Sequence, residues 1–169
     1  MKTLFLPGFG SKASDKKYHK FFPDILVFTP KWSHRTLKSY REEFINFLHK
    51  ENLFNTPFKA IGFSMGALIL ATTPVYPVKT AYASITPLFP GNIKRLPNGF
   101  KVFLGKNRLR DLYEYVPKPN SFFLVGELEA DFVKDFSNKI SNGKVKLVAN
   151  SGHNIFQKEY LNEILKVLT

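Results

Sequence analysis

The chain reads as an α/β protein with about six mostly parallel strands and helices on both faces of the sheet. Short β-rich runs alternate with helical patterns from end to end, as they do when crossover helices cover a parallel sheet. The runs are almost continuously apolar instead of alternating, which suits strands buried on both faces. A length of 169 residues with 44% hydrophobic and 15% aromatic content fits one domain, residues 1–169, with a substantial core.

Each element has its own local reason. "KTLFL" (2–6) is the first strand, stopped by Pro7 and Gly8. The apolar stretch before Pro7 is too short for a signal peptide or a membrane span, so a cytoplasmic protein is expected. "DILVF" (24–28) is the second strand. In "TLKSYREEFINFLHKEN" (36–52), Leu37, Tyr40, Phe44, Phe47 and Leu48 fall at helical spacing, and Ser39 with Glu42 forms a candidate capping box,. "FKAIGF" (58–63) and "KTAYASI" (79–85) are the third and fourth strands. Residues 86–120 break the rhythm with Pro87, Pro90, Pro97, Pro117 and Pro119. They are expected to hold one short crossover helix near "RLRDLYEYV" (108–116) and loop that can lie over a site as a small lid. "SFFLVG" (121–126) and "KVKLVA" (144–149) complete the strands, and "FQKEYLNEILKVLT" (156–169) closes the chain as a helix through Tyr160, Leu161, Ile164, Leu165 and Leu168.

Composition narrows the chemistry. Without cysteine there is no disulfide, no thiolate nucleophile and no cysteine-zinc site,. The excess of 25 Lys and Arg over 13 Asp and Glu, a net charge of +12, admits nucleic acid, a membrane surface or an acidic partner,. The charges are scattered and no recognition motif accompanies them, so a solvated basic surface is expected, with neither specific nucleic acid nor membrane as partner. The densest basic patch, "KNRLRDLYEYVPK" (106–118), leaves open an anionic handle on a substrate.

One motif carries a reaction. "IGFSMGALIL" (61–70) sets Ser64 between an apolar strand and the start of a helix. A turn that sharp presses strand against helix, so the positions two before and two after the serine cannot carry large side chains. Gly62 and Gly66 meet that need, completing G-x-S-x-G,. The helix start aims free N–H groups and the positive dipole end at the serine oxygen. The same pattern also occurs in packed turns without chemistry. Here it has company: Gly8, Phe9 and Gly10 follow the first strand, where the Phe9 N–H can join that of Met65 in an oxyanion hole,. In "VANSGHN", His153 follows the last strand, while His19, His34 and His49 read as solvated surface. The carboxyl edge of a parallel sheet is where ligands bind, and Ser64, the 8–10 turn and His153 all belong to it.

An orienting carboxylate is also required. "LVGELEADF" offers Glu129 and Asp131, three and five residues after Gly126, either of which can reach the histidine ring; Glu127 lies too close to the strand. Asp131 can equally cap the helix "FVKDFSNKI", and Glu129 can equally be solvated loop.

Together these residues resemble the α/β-hydrolase family over nearly the whole chain, through "LPGFG", "GFSMG", "GELEAD" and "SGHN". The resemblance is to the small, nearly capless serine esterases. Pro7 stands where the family often has a histidine, the usual opening antiparallel strands are missing, and the cap is reduced to residues 86–120. "GELEADFV" is also similar to the acid loop of menaquinone-pathway synthases of the same fold. The resemblance implies an esterase or thioesterase: His153 takes the Ser64 proton, the serine attacks an acyl carbonyl, Phe9 and Met65 hold the oxyanion, and water releases the acyl group, with no metal and no cofactor. Apolar walls are expected from Phe9, Met65, Leu88, Phe89 and Phe156, and the substrate is a small ester or thioester or one borne on an acidic acyl carrier. Two rival readings stand beside it. "GFGSKA" (8–13) matches the dinucleotide fingerprint G-x-G-x-x-A, but the second strand ends without the acid that would hold a ribose,. The other rival is a hydrolase fold that has lost catalysis and binds a partner.

Overall fold

The computed structural model describes residues 1–21, 24–33 and 36–169, with backbone only at 20 and 21. Six strands, β1 (Lys2–Leu6), β2 (Ile25–Val27), β3 (Phe58–Phe63), β4 (Lys79–Ala83), β5 (Ser121–Gly126) and β6 (Val145–Val148), form one sheet in the order β2-β1-β3-β4-β5-β6. Every neighbouring pair is parallel. The chain thus starts in the interior of the sheet, steps outward to β2, then crosses back over β1 to β3 and proceeds in one direction. The reversal opens a crevice beyond the carboxyl ends of β1 and β3, the place where such sheets bind ligands.

Strand periodicity divides the core in two. On β1, Leu4 and Leu6 face one side and Phe5 the other, because successive side chains alternate across a sheet. The Leu4 side is covered by α2 (Leu37–Lys50), α3 (Met65–Thr72) and, through Phe136, α5 (Asp131–Ile140). The Phe5 side is covered by α1 (Lys16–Phe21) and α6 (Lys158–Leu168), through Tyr18, Tyr160, Ile164 and Leu168.

Helix α2 has the expected buried stripe of Leu37, Tyr40, Phe44 and Leu48. Its cap is not the one expected. Thr36, not Ser39, is the N-cap, its side chain accepting from the Ser39 N–H at 3.2 Å. Starting a turn earlier lets Leu37, 1% exposed, join the core. Helix α3 is buried on every side, as its run of uncharged residues requires,.

Residues 86–120 differ most from expectation. Their α-helix is α4 (Asn98–Leu104), flanked by 3-10 turns at Pro90–Arg95 and Lys106–Leu109, and "RLRDLYEYV" forms no α-helix. Pro97 occupies the N-cap of α4 and Gly105, at φ 75°, ends it, donating its N–H to the Lys101 carbonyl, a conformation in which glycine meets little strain. The stretch beyond is pinned by side chains instead: Arg41 lies 3.6 Å from the Tyr113 ring centre, and Tyr115 packs edge-on against Tyr82. No helix among the described residues is long and apolar enough to cross a membrane.

The two elbow glycines carry a stability prediction. A Cβ on Gly66 would lie 2.0 Å from the Leu6 carbonyl oxygen, and one on Gly62 would lie 2.5 Å from the Ala67 Cα. Gly66→Ala is expected to lower stability by about 3 kcal/mol or more in urea titration, since the obstacle is backbone that cannot step aside. Gly99→Ala, on α4 with nothing within 4 Å, should be neutral or stabilising by up to about 1 kcal/mol. A Gly66→Ala midpoint equal to the wild type contradicts the packing described.

Candidate active site

Ser64 links β3 directly to α3. Its backbone sits at φ 54°, ψ −119°, a region that is strained for a residue with a side chain and persists only where the surroundings over-determine it. They do so here: the Ser64 N–H donates to the Ala83 carbonyl at 3.0 Å, and the Ser64 carbonyl accepts from Leu68 N–H at 3.2 Å and Thr86 N–H at 3.3 Å. The turn lifts the Ser64 hydroxyl to the sheet edge.

His153 arrives on a loop tied to the one before it. Glu127 accepts the Asn150 N–H at 3.0 Å, and the Leu128 N–H donates to the Ser151 carbonyl at 2.9 Å. Gly126 makes this possible, because a Cβ there would stand 2.3 Å from the Ser151 oxygen. Across the sheet edge, His153 Nε2 lies 3.0 Å from Ser64 Oγ and Nδ1 lies 2.9 Å from Glu129 Oε2. The imidazole leans on the Phe63 ring, centroids 4.8 Å apart.

Of the two carboxylates left open by the sequence, the structure brings Glu129 to the histidine. Asp131 is in the first turn of α5, not its cap, with its side chain 89% exposed and paired to Lys134 at 2.9 Å. The Glu129 side chain is only 2% exposed. Its Oε1 accepts from the Gly126 N–H at 3.1 Å, from Tyr160 OH at 3.2 Å and from Ser84 Oγ, and Ser84 is in turn 2.5 Å from Tyr160 OH. Burial pushes the Glu129 pKa up, but hydrogen bonds from His153 and Ser84, the His153 charge and the Gly126 N–H together outweigh it and hold the carboxyl below its ordinary value,. Burial, followed by the adjacent Glu129 charge, pushes the Tyr160 phenol up, so that it stays a donor.

Gly8 brings the first loop against the serine: a Cβ there would lie 3.3 Å from Ser64 Cβ. Neither the Phe9 nor the Met65 N–H has an acceptor among the described residues, which leaves both free for an oxyanion. The fingerprint reading of residues 8–13 fails on geometry. They form turns, and α1 opens only at Lys16, whereas a dinucleotide site needs the glycines at the helix start.

A cavity of about 670 Å³ adjoins Ser64 and His153. Phe9, Met65 and Phe156 line it as expected; Leu88 and Phe89 do not, being packed in the core at 0% and 4% exposure. Their place is taken by Phe100, Phe103 and Leu104 of α4 and by Phe132 and Val133 of α5. His19 and His49 are exposed as expected, and His34 lies outside the described residues. The sequence reading missed Ser84 and Tyr160. Ser84 stands one residue past the carboxyl end of β4 with φ 48°, a position the sheet-edge rule could have flagged; Tyr160 looks like any apolar residue of its helix until the carboxylate is placed.

No protein-family model and no curated protein matches the chain, but many solved structures do. MenH from S. aureus superposes with a TM-score of 0.64 over 99% of this chain and 93% of its own, at 18% identity. A carboxylesterase of the thaumarchaeon Nitrososphaera gargenis gives 0.66 over 99% and 89%, at 13% identity. The RedJ thioesterase of Streptomyces coelicolor gives 0.62 over 99% and 84%, at 11% identity. The chain therefore has the α/β-hydrolase fold, in a minimal six-stranded form.

The depressed Glu129 pKa fixes a pH dependence. A carboxyl that ionises more readily folded than unfolded contributes stability that is full above the ordinary value of 4.5 and is lost as the pH falls through the lower folded value,. The gap in urea midpoint between wild type and Glu129→Gln should accordingly be widest near neutrality and narrow below pH 4.5. Tyr160→Phe, which removes one of several donors, should cost about 1–2 kcal/mol at pH 7. A gap independent of pH contradicts the assignment.

Proposed function

We propose that the chain is a serine hydrolase that cleaves carboxylic esters or thioesters through an acyl-serine intermediate. The observation that carries this reading is the continuous relay Ser64 Oγ, His153 Nε2, His153 Nδ1, Glu129 Oε2, with links of 3.0 and 2.9 Å, rooted in a strained strand-to-helix turn. In the first half-reaction Ser64 Oγ attacks the acyl carbon as its proton passes to His153 Nε2. The tetrahedral oxyanion takes hydrogen bonds from the Phe9 and Met65 N–H groups, and its collapse expels the alcohol or thiol, which leaves with the proton from His153. Water then attacks the acyl-serine, gives its proton to His153 and releases the acid, and the proton returns to Ser64. Glu129 stays ionised throughout, holding the Nδ1–H tautomer and offsetting the imidazolium charge.

The apolar cavity suits the acyl chain, and the carboxylesterase and thioesterase among the structural neighbours fit the same bond classes. A catalytically altered binding protein would have little use for a serine kept in a strained conformation beside an oriented histidine.

The test is pre-steady-state turnover of p-nitrophenyl esters of increasing chain length. Expected is a burst near one equivalent that disappears in Ser64→Ala, with kcat lowered by about 10³-fold or more. Glu129→Gln should lower kcat by about 10²–10⁴-fold while Asp131→Asn leaves it unchanged. A burst that survives in Ser64→Ala, or an Asp131→Asn loss equal to that of Glu129→Gln, contradicts the proposal.

A further inference from the structure

The segment beside the cavity mouth has a composition that the hydrolytic relay does not use. Residues 91–110 hold Lys94, Arg95, Lys101, Lys106, Arg108 and Arg110 and not one Asp or Glu. None of the six forms an ion pair with a carboxylate among the described residues. Cations gathered this way repel one another, and a bound anion relieves the repulsion.

Arg108 is the member placed to meet a substrate. Its guanidinium lies 4.4 Å from the centre of the Phe9 ring, on the loop whose N–H faces the oxyanion position, and one of its terminal N–H groups donates to the Leu104 carbonyl at 2.8 Å. These two contacts fix the plane of the guanidinium. Its Nε is buried and has no hydrogen-bond acceptor, although buried donors are ordinarily paired. Arg108 also lines a second cavity of about 270 Å³ together with Lys106, Asn107, Gly105 and Leu104, and Leu104 lines the main cavity as well. Leu104 is thus a wall common to both cavities.

We infer that this second cavity is an anion subsite, and that the substrates are esters or thioesters whose leaving group bears a phosphate. The apolar cavity takes the acyl chain, so the anion belongs on the other side of the scissile bond. A guanidinium and an ammonium together match the near-double charge of a phosphate monoester at neutral pH, and the terminal N–H groups of Arg108 not taken by Leu104 can donate to its oxygens,. The handle between phosphate and scissile sulfur or oxygen then runs from Arg108 past Phe9 to Ser64. The inference rests on the hydrolase reading for its chemistry and on the second cavity alone for its binding.

The experiment compares S-butyryl-pantetheine with its 4′-phosphate, two thioesters that differ by the phosphate only. Expected is a kcat/KM at least tenfold higher for the phosphorylated compound, carried by KM, abolished by Arg108→Gln, weakened by Lys106→Gln and partly retained by Arg108→Lys. Dissociation constants of both compounds for the Ser64→Ala protein, measured by calorimetry, should show the same preference without turnover. Equal KM and equal dissociation constants for the two compounds overturn the inference. So does a preference that falls as much in Lys94→Gln/Arg95→Gln as in Arg108→Gln, because it then reflects a diffuse field. A preserved binding preference in a protein that turns over neither compound nor any p-nitrophenyl ester removes the hydrolase reading and leaves the subsite standing. Butyryl-coenzyme A and a butyryl-loaded acyl carrier protein, assayed in parallel, distinguish a free from a protein-borne handle, and faster turnover of either than of butyryl-pantetheine supports the subsite.

Discussion

The close approach of α3 to β1 governs the rest of the structure. Backbone meets backbone there, with the Gly66 Cα against the Leu6 and Pro7 carbonyls and Gly62 against Ala67, at distances no Cβ could occupy. This approach allows β3 to turn into α3 within one residue, which forces Ser64 to φ 54° and lifts its hydroxyl clear of the sheet. It also brings the 8–10 loop beside the serine. Were either glycine larger, the helix start would retreat, and the N–H groups at its first turn would no longer face the position an oxyanion occupies.

A second constraint is electrostatic. Removing a carboxylate from water is expensive, and Glu129 is almost fully removed,. Four donors offset that penalty: His153 Nδ1, the Gly126 N–H, Ser84 Oγ and Tyr160 OH. They come from the histidine loop, β5, the end of β4 and α6, so the carboxylate is held by elements spread from residue 84 to residue 160. Oε1 takes three of the donors and leaves Oε2 to the histidine. The same division explains how a glutamate reaches the histidine here. Its side chain is long enough to reach back over the strand end while its far oxygen remains tied to the β5 backbone.

The sheet was legible because a doubly covered parallel strand has little choice but to be apolar, and all six runs lie within a residue or two of the strands observed. The elbow and the histidine were legible for a related reason: G-x-S-x-G and a histidine at a strand end are local patterns with local causes. The acid was not. Glu129 and Asp131 are both polar residues in one loop, and what separates them is burial under α6 and the presence of Ser84, both distant in sequence. The cap segment was misread because "RLRDLYEYV" has aromatic residues at spacings a helix could use, whereas Tyr113 lies under the Arg41 guanidinium and Tyr115 packs edge-on against Tyr82 from a stretch without regular secondary structure. Leu88 and Phe89 were misplaced for want of the same information: they are packed in the core, Phe89 against Phe136, and α4 and α5 supply the wall.

The claim on which everything else depends is that Ser64 is made nucleophilic by His153. Intact-mass analysis after exposure to a fluorophosphonate tests it without any assumption about substrate. Expected is one phosphonyl group per chain, mapped to Ser64, with labelling slowed by about 10³-fold or more in folded His153→Ala. Labelling that leaves Ser64 unmodified in the folded protein, or that proceeds at the wild-type rate without the imidazole, contradicts it.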